Sequence, residues 1–118
     1  GQQEEQFIED FKKEVLRAAD DAKDDMEKRA EEFLKKDGDD NEKKRKILKW
    51  IADALEAIGD LFNAAQEAKR RAELYFKLGL LKKERKEEAE EEAEKAKEEA
   101  SKKLHKAARE ARIKMEKG

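Results

Sequence analysis

His105 is the only imidazole in the chain, and Cys is absent. Thiol nucleophiles, disulfides and thiolate metal sites are therefore excluded. No Glu or His stands three or four residues from His105 to complete a metal pair on one helix face. The acidic run Asp37-Gly38-Asp39-Asp40 has some likeness to a calcium loop, but the glycine and the distal bidentate Glu of that motif are missing. These residues predict no enzyme, metal site, cofactor or small-molecule substrate. The remaining chemistry is that of a surface. Ile51, Leu55, Ile58 and Phe62 recur at i, i+4, i+7 and i+11, with Leu48 beside them, Ala52 and Gly59 as small residues, and Asp60 and Asn63 as polar ones. That spacing draws a line of large apolar side chains along one side of a helix.

Three segments must position this line. The first, about residues 3–36, carries Phe7, Phe11, Val15, Ala18 or Ala19, Ala22, Met26, Ala30 and Phe33 at spacings of three and four, which is the amphipathic-helix pattern. Gly38 suits the position after a helix end and Asp39 or Asp40 an N-cap. The second segment, about 41–78, keeps its apolar spacing straight across Gly59 and stops at Gly79. A corner at Gly59-Asp60 is the competing arrangement. The third, about 81–117, has a seam of Ala89, Ala93, Ala96, Ala100, Leu104, Ala107 or Ala108, and Ala111; His105 lies roughly opposite this seam and is expected in solvent. Its acidic first half and basic second half suit the helix dipole.

Composition agrees with one all-α domain over residues 1–118, an up-down-up three-helix bundle. The chain has 118 residues, no Pro, and 30 Lys and Arg against 32 Asp and Glu, for a net charge of −2. So balanced a charge favours neither nucleic acid nor an anionic membrane as partner. No apolar run approaches the ~18 residues of a membrane span, and no signal-peptide core is present, so action in the cytoplasm is the expectation. Of 43 hydrophobic residues 18 are Ala, leaving 25 larger ones, enough for the stripes of a helical bundle. Folding about the two connections sets bulky residues of one helix beside Ala of the others.

The middle segment has more apolar surface than a bundle uses. Residues 47–62 hold eight of the 25 large apolar side chains. On a helical wheel with Ile51 at zero, Trp50, Ala54, Ala57, Leu61, Ala64, Ala68, Ala72 and Tyr75 centre near roughly −100°. Ile51, Leu55, Ile58 and Phe62 centre near roughly +10°. Together the two stripes span about 200°, about twice what a core-facing helix needs. Gly59, on the side of the second stripe, costs the helix roughly 0.8–1 kcal/mol relative to Ala. Either a helix crosses closely there inside the bundle, or a partner outside the chain approaches.

Residues 50–64, Trp50-Ile51-Ala52-Asp53-Ala54-Leu55-Glu56-Ala57-Ile58-Gly59-Asp60-Leu61-Phe62-Asn63-Ala64, resemble the BH3 motif of pro-apoptotic Bcl-2-family ligands, in its Bim-type version. The motif core is Leu55, three residues, then Gly59-Asp60. The resemblance implies that Ile51, Leu55, Ile58 and Phe62 fill successive pockets of a groove on an anti-apoptotic Bcl-2-family protein. Ala52 and Gly59 are then the small positions, Asp60 pairs with a groove arginine, and Asn63 also matches. Glu56 and Ala57 depart from the basic residues common there, and Ala65 and Gln66 from the Tyr pair of the Bim-type sequence. Tolerance of Bim-like anchors gives a lean towards an Mcl-type groove.

The regular core, the absence of Pro and Cys and a surface filled with helix formers read as a designed sequence. It looks similar to designed three-helix proteins that carry this motif as inhibitors of pro-survival Bcl-2 proteins. A monomeric, non-catalytic competitive binder is the expectation; a designed scaffold without a partner and a self-associating bundle are the alternatives.

Overall fold

The computed structural model describes residues 1–36 and 38–118. Three helices follow one another: α1 Gln2–Leu34, α2 Asp40–Lys77 and α3 Lys83–Lys117. They form a rod of 60 × 18 × 17 Å in which every helix packs on the other two. The register is up-down-up. Glu14 of α1 pairs with Arg71 of α2, and Arg29 with Asp53 at 2.7 Å, so these helices run antiparallel. Lys12 lies 4.0 Å from Glu92, and Glu5 3.9 Å from Arg85, which sets α1 parallel to α3.

The core is a column of small side chains wedged by large ones. Ile8, Phe11, Val15 and Met26 from α1, Trp50, Ile58 and Leu61 from α2, and Leu104 and Met115 from α3 are buried, together with Leu81 and twelve alanines from the seams of all three helices. Among the described residues no polar side chain is buried. At the lower end of the rod Phe7 and Phe11 bracket Tyr75, with ring centroids 4.8 and 5.5 Å away. Near the other end the Trp50 indole Nε1–H donates to the Met26 carbonyl at 3.0 Å, so the one polar atom of that large ring is satisfied.

The connections differ from expectation in instructive ways. α1 ends at Leu34 with Lys35 as its C-cap, so Gly38 lies beyond the helix end rather than next to it; Asp37 lies outside the described residues. Asp39 is the N-cap of α2, its carboxylate accepting from the Glu42 N–H at 2.7 Å. α2 closes with Gly79 at φ +78°, the Leu80 N–H donating to the Tyr75 carbonyl at 2.8 Å and the Gly79 N–H to Phe76 at 3.0 Å. This is the paired 6→1 and 5→2 closure that needs a left-handed residue. Gly79→Ala is therefore expected to destabilise the chain by about 1 kcal/mol, read as a lower urea midpoint with unchanged slope; an unchanged midpoint would show that this closure carries no strain.

α3 begins at Lys83, two residues later than its sequence pattern suggests. Leu81 is a buried plug under the turn, not the first helical residue. The N-cap, Lys82, has no side-chain acceptor of its own; Glu4 of α1 reaches across and accepts the Lys82 N–H at 2.9 Å. That hydrogen bond, with the Gly1 amino group adding to it, holds the Glu4 carboxyl below its ordinary value.

Candidate functional site

α2 is continuous through Gly59, so no corner forms at Gly59-Asp60. Its residues divide sharply by environment. Trp50, Ala54, Leu61, Ala65, Ala68 and Ala72 are buried, whereas Leu48 is 67%, Leu55 60% and Phe62 44% exposed. The exposed three stand seven residues apart, and Ala52 (exposed) and Gly59 (half-buried) alternate with them as small steps in the line. Asp60 and Asn63 are exposed along its outer edge. A Cβ built on Gly59 meets nothing within 4 Å. A close helix crossing inside the bundle is thus not the reason for this glycine, and within the chain its helix penalty has no compensation.

Two of the expected anchors sit differently from Leu55 and Phe62. Ile58 is only 7% exposed and belongs to the core; Ile51 is half-buried and packs against it. The physical cause is a rotation of the buried stripe. Ile58 and Ala65 take core positions, while Ala57 and Ala64 are only half-buried. The centre of the buried face therefore lies near roughly −65° on the wheel, not −100°. Ile58, at about −20°, is the anchor nearest to that face and falls into the seam with α3; Phe62 and Leu55, at about +20° and +40°, stay outside it.

α3 borders the line on this inner side, which sequence reasoning did not foresee. Lys97 Nζ lies 5.0 Å from the centroid of the Phe62 ring, a cation–π contact. The same ammonium holds Glu94 at 2.6 Å, and Lys69 of α2 reaches that carboxylate too. These two cations, Lys69 first, keep the Glu94 carboxyl below its ordinary value. Farther along, a cleft of about 280 Å³ runs between Ile51, Leu55 and Ile58 on α2 and His105, Arg109 and Arg112 on α3. It leads into a second cleft of about 680 Å³ lined by Ile47, Leu48, Ile51 and Met115. His105 is exposed, as its place on the wheel predicts. The α3 residues were missed because their own helix gives no signal; only the antiparallel pairing of α2 with α3 brings them beside the motif.

The arrangement is a strip of apolar side chains along one continuous helix. The chain is an all-α three-helix bundle whose middle helix presents this strip to solvent. No protein-family model matches the chain, and no curated protein matches it. No helix is long and apolar enough to cross a membrane among the described residues.

Proposed function

We propose that the chain is a non-catalytic binding protein that inserts the outward strip of α2 into the BH3-binding groove of an anti-apoptotic Bcl-2-family protein, displacing pro-apoptotic ligands. The observation that carries this reading is Gly59: a glycine in a helix interior, beside Leu55 and Phe62, with open space where its side chain would be. A helix designed only for its own fold gains by Ala there. A helix that must lie against a groove wall gains by the missing methyl.

The mode is an amphipathic helix laid into an apolar cleft. Leu55 and Phe62 are available as they stand; burying each is worth roughly 1.5–3 kcal/mol before the cost of association. Ile51 and Ile58 contribute only if they turn out of the α2–α3 seam, which subtracts from the net affinity. The helix itself is already formed, so the roughly 2–5 kcal/mol that a disordered ligand spends on ordering is reduced. An Mcl-type groove remains the preferred target on the resemblance of the anchors, and the partner-free chain is proposed to be monomeric.

Asp60 has no ion-pair partner among the described residues and is exposed, free to meet a groove arginine. Titration of the chain into purified anti-apoptotic Bcl-2 proteins tests the proposal. Tight one-to-one binding to at least one member is expected, with Asp60→Ala weakening it by about tenfold, as loss of a charge-assisted bond does. The melting temperature of the variant should stay within a degree or two of the parent. Absence of binding to every member would overturn the proposed function; equal affinity of Asp60→Ala would remove the arginine pairing.

A further inference from the structure

Ile51 and Ile58 are claimed by two surfaces. As anchors of the strip they must face a partner, yet in the free chain Ile58 is buried and Ile51 half-buried in the seam between α2 and α3. They come free either by a roll of α2 about its own axis or by withdrawal of α3. The bonds between α1 and α2 decide which. A roll of α2 would draw Trp50 and Leu61 out of the core and break the bond from Trp50 Nε1–H to the Met26 carbonyl at 3.0 Å. It would also part Asp53 from Arg29 and Arg71 from Glu14. α1 and α2 therefore move as one body, and α3 is the element that can yield.

α3 is tied down unevenly. Among the described residues, all its ion pairs to other helices lie in its N-terminal half: Arg85 with Glu5, Glu92 with Lys12, and Glu94 with Lys69. There, too, Glu4 accepts the Lys82 N–H at 2.9 Å. Residues 97–117 have no such pair; Lys97 lies against the Phe62 ring, and beyond the helix end the Gly118 carbonyl accepts from Lys43 at 2.9 Å. Burial of Leu104, Ala111 and Met115 is what holds this half. Open clefts flank it on both sides, about 470 Å³ against α1 beside Ala107 and about 280 Å³ against α2 beside Ala108. A tilt of roughly 10° about Glu92 moves Ala108, about 24 Å farther along the axis, by roughly 4 Å. That displacement uncovers the sides of Ile51 and Ile58 while the N-terminal ion pairs stay in place.

We infer that the C-terminal half of α3 is a displaceable cover over Ile51 and Ile58, closed on them in the free chain and tilted away, with its N-terminal half as pivot, when the strip is seated in a groove. This rests on the proposed use of the strip and adds the regulation of that site. α3 and the partner compete for the same two side chains, so whatever tightens this half of α3 on the bundle weakens binding by the same factor. Stability and affinity are thereby opposed at residues 97–117.

Ala107→Leu in the full chain tests the inference, because residue 107 lines the cleft against α1, with Ala30 and Leu34 across from it, away from the strip. The urea midpoint is expected to rise, and affinity for the family member that the parent binds best to fall about tenfold. Ala111→Gly loosens the same half by one buried methyl group and a poorer helix former. Its midpoint should fall and its affinity rise by about threefold. Affinity that is unchanged in both variants, or that follows stability in the same direction, shows that α3 stays in place; the inference then fails while the use of the strip stands. Hydrogen exchange in the free chain gives a reading that needs no partner. Amides of residues 98–110 are expected to exchange about tenfold faster than those of 87–96, with Ala107→Leu narrowing the difference. Equal protection of the two halves would overturn the cover even in a chain that binds. If the parent binds no family member, the inference falls together with the proposed use of the strip.

Discussion

Gly59→Glu is expected to leave the bundle folded and to lower affinity for the partner by at least ~100-fold, or about 2.7 kcal/mol. The two halves of this expectation come from the same position. In the free chain a side chain at residue 59 points into open space, with nothing within 4 Å of its Cβ. Glu is also a far better helix former than Gly, so helicity and unfolding midpoint should hold or rise slightly. In a groove the same side chain must be accommodated between the helix and the wall, and its carboxylate loses water without a partner. Circular dichroism and a urea melt read the first half, a binding titration the second. Loss of the fold would show that residue 59 serves the interior after all; retained binding would show that this side of α2 does not face the partner.

Trp50→Ala is expected to act in the opposite manner, on the fold before the interface. Trp50 is 5% exposed and fills the space between α1 and α2, with its Nε1–H bonded to the Met26 carbonyl at 3.0 Å. Alanine makes up more than half of the buried core, so few of its side chains can swing into the space left behind. Removing so large a side chain costs roughly 3–5 kcal/mol, a substantial part of the ~5–15 kcal/mol that holds a domain of this kind together. Trp50→Phe retains most of the apolar volume and should lose only about 1–2 kcal/mol, through the hydrogen bond and the smaller ring. The urea midpoints of the two variants separate these contributions. A loss below about 1 kcal/mol for Trp50→Ala would mean that the end of the bundle repacks, contrary to the tight alanine column seen here.

Much of this structure is legible in the chain. The apolar spacing of Phe11, Val15, Ala22 and Met26 defines α1, the alanine seam defines α3, and Gly79 marks the end of α2 because the closing turn needs a left-handed residue. The excess apolar surface of α2 is equally plain, and so is the outward position of Leu48, Leu55 and Phe62. What a wheel does not contain is where the neighbouring helices stand. When apolar residues cover about 200° of a helix, pattern alone leaves open which part is covered. The position of α3 decides it, turning Ile58 and Ala65 inward and leaving Ala57 at the margin. The start of α3 is hidden for a related reason. Leu81 continues an apolar pattern, yet it plugs the turn, and the acceptor for the Lys82 N–H comes from Glu4, distant in the chain. The same long-range pairing places Lys97 and Arg109 beside a strip on another helix.

The most direct test of the proposed role is competition between the chain and a labelled Bim-type peptide for a panel of purified anti-apoptotic Bcl-2 proteins. Use of the α2 strip in the groove predicts complete, one-to-one displacement of the peptide from at least one member, abolished by Gly59→Glu. Binding that leaves the peptide in place, or displacement that Gly59→Glu does not affect, would contradict it.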